Sequence, residues 1–193
     1  EKDGFVDLKV SRCRDCDMIQ VAEDFPGEEY VADYQRNISF SQSALDHVER
    51  TADKIVGYGV KNMVEIGCGN GLFSDAMMRR KAKVVAFEPS KAACATAKAR
   101  GVDAHNTFFD EKLPKTFSGY DGFALRFVLE HIPSPVQFLK AISERCDEGA
   151  IGLIEVPDAQ KQITQKRWFA FFREHVLYFT PETCGITMYR AGF

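Results

Sequence analysis

A chain of 193 residues that is 45% hydrophobic, 27% charged and 12% aromatic has the size and make-up of one folded domain, with no tract biased towards disorder, collagen or a disulfide scaffold. Its 25 Lys+Arg against 28 Asp+Glu leave a formal charge of −3, so there is no net basic field to hold a phosphate backbone and nucleic acid is not the expected partner. No apolar run approaches the ~18 residues of a membrane span, the first residues are unlike a secretion signal, and six cysteines are scattered apart from one Cys-x-x-Cys. The expectation is a cytoplasmic protein with reduced thiols and no membrane partner. The absence of an initiating Met suggests a processed or incomplete chain.

Residues 1–38 read as a small appendage: an alternating stretch at 5–10, then Cys13-Arg14-Asp15-Cys16, an apolar run Met18-Ile19-Gln20-Val21 and a Pro26-Gly27 turn. Residues 39–193 read as the main domain. Helical spacing over 39–58 precedes an alternation of strands and helices. Strands are predicted at 63–66, 84–87, 103–108, 122–127 and 151–156, and helices at 72–80, 90–100 and 134–146. This order predicts an α/β fold, a doubly wound parallel sheet. A polar break at 157–166, an aromatic stretch from Trp168 to Phe172 and a final helix over 180–191 follow. A helix ending in Gly192-Phe193 ordinarily leads into another strand, so the sheet is expected to lack its last strands.

The strongest signal is Val64-Glu65-Ile66-Gly67-Cys68-Gly69-Asn70-Gly71, between a predicted strand and a predicted helix. Glycines there let a ligand approach the backbone where a helix start offers unpaired N–H groups. The spacing is G-x-G-x-G, because Leu72 stands where the dinucleotide fingerprint needs glycine, which weakens NAD and FAD. Glu88, closing the next strand, is placed to accept both hydroxyls of a ribose.

These residues resemble the class I S-adenosylmethionine-dependent methyltransferases, over about 60–193. The resemblance implies that Glu65, Gly67, Cys68, Gly69 and Gly71 surround the methionine part of S-adenosylmethionine, that Glu88 holds the ribose and that Phe109 and Asp110 flank the adenine. Arg126-Phe127-Val128-Leu129-Glu130-His131-Ile132-Pro133 resembles the segment beneath the transferred methyl, which puts Arg126 beside the cofactor and turns His131 into the cleft. By itself, a Glu-His pair before proline also reads as a helix-entry cap.

Phe172-Arg173-Glu174-His175-Val176-Leu177-Tyr178-Phe179-Thr180-Pro181-Glu182 looks like a segment of the sugar C-methyltransferases, which act on nucleotide-linked keto sugars. Cys13-x-x-Cys16-Asp17-Met18 and the run from Asp33-Tyr34 to Ser41 resemble their N-terminal zinc-binding unit. The implied reaction is C-methylation through an enolate. His175 would take the proton, since imidazole titrates near neutrality. Glu174 would orient it or receive a sugar hydroxyl, and Tyr178 would hydrogen-bond the oxyanion. Phe172 and Arg173 replace a Tyr and a His of that pattern, and a shorter form of the segment is shared with small-molecule O- and N-methyltransferases, the alternative reading. A cofactor-binding fragment without activity is a further one. A structural zinc needs about four ligands; Cys13 and Cys16 supply two, so zinc is expected only if further ligands lie upstream.

Overall fold

The computed structural model describes residues 8–21, 41–110 and 112–193. The start of the alternating stretch at 5–10, the Pro26-Gly27 turn and the Asp33 to Phe40 segment lie outside them.

Ser41 caps the first helix, accepting a hydrogen bond from the Ala44 amide at 3.3 Å. That helix, α1 (Gln42–Gly57), buries Val48, Ala52 and Ile55, which its turn places on one face. Five parallel strands follow: β3 (Asn62–Ile66), β4 (Lys83–Phe87), β5 (Asp103–His105), β6 (Tyr120–Arg126) and β7 (Cys146–Glu155), ordered β5-β4-β3-β6-β7. Three helices connect them: α2 (Leu72–Arg79), α3 (Lys91–Ala99) and α4 (Pro135–Ser143). Ser90 caps α3 and Pro135 opens α4, where its missing N–H costs nothing. The parallel sheet expected from the strand–helix alternation is therefore present. Order reverses at β3, which has β4 on one side and β6 on the other. Among the described residues β7 is an edge strand.

Alternation along the strands divides the core between the two faces of the sheet. Val64, Ile66, Phe123 and Leu125 pack with Leu139 and Ile142 of α4, while Met63, Val84 and Ala124 pack with α1 and α2. On the outer side α2 is tied to α1 by ion pairs from Arg79 and Arg80 to Glu49 and from Arg80 to Asp53. Exposed pairs of this kind contribute little stability.

Two elements were not visible in the sequence pattern. Asp158 caps a six-residue helix, α5 (Ala159–Thr164), inside the polar break. A two-residue strand, β8 (Leu177–Tyr178), pairs with β2 (Ile19–Val21), which pairs with β1 (Val10–Arg12), giving a second, antiparallel sheet. The appendage is therefore joined by backbone hydrogen bonds to the segment that carries His175, including one from the Val21 amide to the Val176 carbonyl at 3.0 Å. The last helix, α6 (Pro181–Ala191), starts with a Thr180–Thr183 capping box and ends at Gly192. Among the described residues no helix is long and apolar enough to cross a membrane.

Leu139 is fully buried between α4 and the sheet. Leu139→Ala is expected to cost about 2–5 kcal/mol by urea denaturation, because the closed core leaves a cavity.

Candidate active site

The glycine loop leaves β3 at the point where strand order reverses, the place at which open parallel sheets form a crevice. All three of its glycines have left-handed backbone, with φ of 72° at Gly67, 54° at Gly69 and 77° at Gly71. Their surroundings differ. A Cβ on Gly67 would lie 2.4 Å from Val128 Cγ2, and one on Gly71 2.8 Å from the Ala97 Cβ, but one on Gly69 would meet nothing within 4 Å. Gly67 and Gly71 are thus demanded by the protein's own packing, Gly67 through its close approach to the β6 exit. Gly69 faces the open side. The N-cap of α2 is Gly71, with no side-chain cap, so the helix start keeps amides for a ligand.

Glu88 closes β4 and is 4% exposed. Its two oxygens accept hydrogen bonds from the Gly69 and Ser90 amides, both at 2.8 Å. Burial pushes its carboxyl up while those two amides pull it down. A carboxylate has about four lone-pair sites, so two remain for ribose hydroxyls. Asn106 donates to the Glu88 carbonyl at 2.9 Å and holds the strand end in place. An open glycine beside a buried carboxylate and an uncapped helix start suit the nucleoside end of S-adenosylmethionine.

Glu65 is buried in β3 and accepts a hydrogen bond from Ser74 of α2. Burial pushes its carboxyl up to about 7, against the pull of Ser74 and the Arg126 charge. Arg126, at the end of β6, is ion-paired to Glu155 and lies over the Phe73 ring at 4.9 Å. His47 of α1 meets the same Glu155 at 2.5 Å. The cation expected beside the cofactor is thus engaged by a neighbouring strand. Cys68 is 6% exposed, and burial raises its thiol far above the usual range, consistent with a small packed side chain. Phe109 is 5% exposed and packs edge-on to Phe87 and Phe138, whereas Phe108 is 56% exposed. Asp110 is exposed and caps the Lys112 amide at 2.8 Å.

Beyond β6 the chain turns sharply at Phe127, a bulky residue with φ of 58°. Such backbone in a non-glycine residue is strained and recurs at functional sites. A 3-10 turn (Leu129–His131) then sets His131 against His175, with ring centroids 4.8 Å apart. The His131 Nδ1–H donates to the Glu174 carbonyl at 2.8 Å, since a carbonyl only accepts. Glu174 takes part through its backbone, and its side chain is exposed. Glu130 is 2% exposed, and burial pushes its carboxyl up to about 7. The Tyr178 hydroxyl accepts from the Phe172 amide at 2.6 Å and donates to the Phe172 carbonyl at 2.8 Å. It closes the loop before β8, so the hydrogen bond expected from it to an oxyanion is spent on backbone. A pocket of about 390 Å³ opens beside the ends of β6 and β7, lined by the apolar Phe127, Ile154, Val156, Phe179, Pro181 and Cys184 and by the polar Glu155, Asp158 and Thr180.

Cys13 and Cys16 sit in the β1–β2 turn, where backbone hydrogen bonds lower the Cys13 thiol. Among the described residues no third metal-binding side chain joins them. Cys13 and Cys16 thus supply two of the about four ligands that a structural zinc needs.

Sequence reasoning brought Glu65, the three glycines, Glu88, His131 and His175 to one end of the sheet. It missed Ser74, Glu155, His47 and the burial of Glu130. Only Glu130 had a local signal, its place beside His131.

Fold and site together define a doubly wound domain built to hold a nucleoside-bearing cofactor at its switch point. A family model described as "Methyltransferase domain" matches residues 33–193. The chain belongs to that family. It is similar to the ubiquinone biosynthesis O-methyltransferase of Hahella chejuensis, 29% identical over 96 residues, which cover 47% of this chain and 40% of the relative. The chain thus matches well under half the length of that curated relative. Among solved structures, a SAM-dependent methyltransferase from Archaeoglobus fulgidus superposes with a TM-score of 0.63 at 16% identity, covering 77% of this chain and 69% of its own. One from Thermotoga maritima, described as a possible histamine N-methyltransferase, has a TM-score of 0.60 at 22% identity, covering 86% and 79%. These structural likenesses speak for the fold.

Two outcomes test the site. Gly69→Ala keeps the fold, at about 1–2 kcal/mol for left-handed backbone, and weakens S-adenosylmethionine binding at least tenfold by calorimetry, whereas Gly67→Ala loses stability through its clash with Val128. The second concerns Glu65, whose carboxyl rises on folding from 4.5 to about 7. Below 4.5 both states are protonated; between 4.5 and about 7 only the unfolded state ionises, so stability falls as pH rises; above about 7 the loss is complete. In Glu65→Gln this fall, followed by urea denaturation from acid to alkaline pH, is smaller by on the order of 3 kcal/mol.

Proposed function

We propose that this protein transfers a methyl group from S-adenosylmethionine to an oxygen of a small, largely apolar acceptor. The observation that carries the cofactor half is the pairing of Gly69, open on its Cα side, with the buried Glu88 carboxylate that its amide contacts. In this reading Glu65, Gly67, Cys68, Gly69 and Gly71 form the surface under the methionine part, Glu88 accepts the ribose hydroxyls, and Asp110, with Phe109 behind it, lies towards the adenine.

When bound, the cofactor supplies a methyl on a positively charged sulfur, which needs an electron-rich oxygen placed in line with it. The chain's residues would do the rest. Phe127, Ile154, Val156 and Phe179 would hold the acceptor and exclude water, which favours an apolar or aromatic molecule. His175 would take the acceptor's proton, with His131 packed against it and fixed by the Glu174 carbonyl. Tyr178 would position His175 through its hold on Phe172 and would not contact the acceptor. Holding the two reacting atoms at contact distance supplies much of the remaining acceleration.

Oxygen is favoured over the sugar carbon for two reasons. The similar curated proteins carry the name O-methyltransferase. The enolate route also wants a donor for its oxyanion, and the Tyr178 hydroxyl is engaged by the Phe172 backbone.

The test is methyl transfer from cofactor labelled with carbon-13 in its methyl group, offered a panel of phenols and catechols beside keto-sugar nucleotides. A product whose labelled methyl resonates as a methoxy group is expected. A methyl bonded to carbon restores the sugar reading, and no transfer to any acceptor despite cofactor binding overturns the proposed activity. His175→Gln is expected to lower kcat at least about 100-fold with cofactor affinity unchanged.

A further inference from the structure

The 3-10 turn after β6 and the segment before β8 come together at one buried cluster. Glu130, His131 and His175 each offer one ligand atom, and these atoms all lie within 4.8 Å of one another. Glu130 is 2% exposed and, among the described residues, its Oε2 has no hydrogen-bond partner. A buried carboxylate oxygen left without a donor is costly unless something positive meets it.

The histidines are arranged as metal ligands usually are. Because the His131 Nδ1–H donates to the Glu174 carbonyl at 2.8 Å, the ring's lone pair is on Nε2. A second hydrogen bond of this type commonly fixes the tautomer and orientation of a ligating imidazole. His175 is 8% exposed and packs edge-on to His131 and Phe172, so its ring has little room to turn. A third contribution comes from elsewhere in the fold. The β2–β8 pairing and the Tyr178–Phe172 hydrogen bonds hold the His175 segment against the turn.

The geometry points to a binding site for one divalent first-row transition cation, zinc or a close relative, held by Glu130, His131 and His175. Two imidazole nitrogens and one carboxylate oxygen suit zinc, cobalt, iron(II) or manganese better than the oxygen-only sets of calcium. Ligand atoms around tetrahedral zinc are about 3.3 Å apart, so closing this cluster takes at most about 1.5 Å of side-chain movement. Three protein ligands leave a further position for an oxygen ligand, the arrangement of catalytic sites as opposed to structural ones. The site is distinct from the Cys13–Cys16 pair, and a cation there takes the same His175 lone pair that the proposed reaction uses as its base, so metal and acceptor proton compete for it.

The experiment is equilibrium dialysis of the full chain against zinc, with metal and protein assayed together, using a Cys13→Ser/Cys16→Ser variant to remove the thiols. That variant is expected to retain one equivalent of zinc, and substituting Co²⁺ should give a visible d–d band without the near-ultraviolet charge-transfer band of a thiolate. Glu130→Gln and His175→Gln in the same background are expected to lower zinc affinity at least tenfold, with far-ultraviolet circular dichroism and S-adenosylmethionine titration confirming the fold. If the cysteine-free protein retains no zinc, the proposal is overturned without reference to any other variant. Zinc retained equally after Glu130→Gln, the mildest of the changes, also overturns it, by placing the metal elsewhere. Methyl-transfer activity does not enter these readouts, so failure of the proposed reaction and failure of this site are separable.

Discussion

The arrangement depends on one close approach, that of the glycine loop to the exit of β6. A Cβ at Gly67 would lie 2.4 Å from Val128, so the loop after β3 and the turn after β6 can be neighbours only because that position has no side chain. The parallel register of β3 with β6, from Met63 opposite Gly122 to Ile66 opposite Leu125, brings the two chain segments level. From this contact follow the left-handed loop, the open face of Gly69 on one side and the strained turn at Phe127 leading to the histidines on the other. The glycine loop and the histidine turn thus share a single hinge of packing.

Around that hinge the protein buries acids. Glu65, Glu88 and Glu130 are each at most 4% exposed, and each is raised by burial. Their partners differ, and so do the tasks they suit. Glu88 is met by two backbone amides and retains acceptor capacity for hydroxyls. Glu65 is met by Ser74 and lies in the field of Arg126, which fastens α2 and β6 about the loop. Glu130 faces two imidazoles across a gap that a cation would close. Burying acids costs stability, and their concentration at one end of the sheet marks where function is weighed against it.

Local pattern made much of this legible. The strand at 84–87 is a continuous apolar run and that at 63–66 is broken only by Glu65, because β3 and β4 lie inside the sheet and β3 is covered on both faces. The glycine loop and Glu88 were legible because a strand–loop–helix unit is built from consecutive residues. The helix α5 escaped notice because it is six residues of polar sequence that a single Asp158 cap sustains. The strand β8 escaped because two residues carry no period, and only pairing with the distant β2 makes them a strand. Tyr178 read as an oxyanion donor because its hydroxyl's partner, the Phe172 backbone, is decided by a loop conformation that no residue pattern encodes.

By itself the sequence determined the α/β alternation, the glycine loop, the carboxylate at the next strand's end and the family to which the chain belongs. Each of these is a local or nearest-neighbour property, set by hydrophobic period and by the backbone freedom of glycine. Only the tertiary structure decided that Arg126 is occupied by Glu155, that Phe109 turns inward, and that Glu130, His131 and His175 meet. Those facts depend on which strands lie side by side and on a turn and a short strand more than 40 residues apart, as the 43-residue separation of His131 from Glu174 illustrates. Side chains brought together over such distances are placed by packing, and packing is a property of the whole fold.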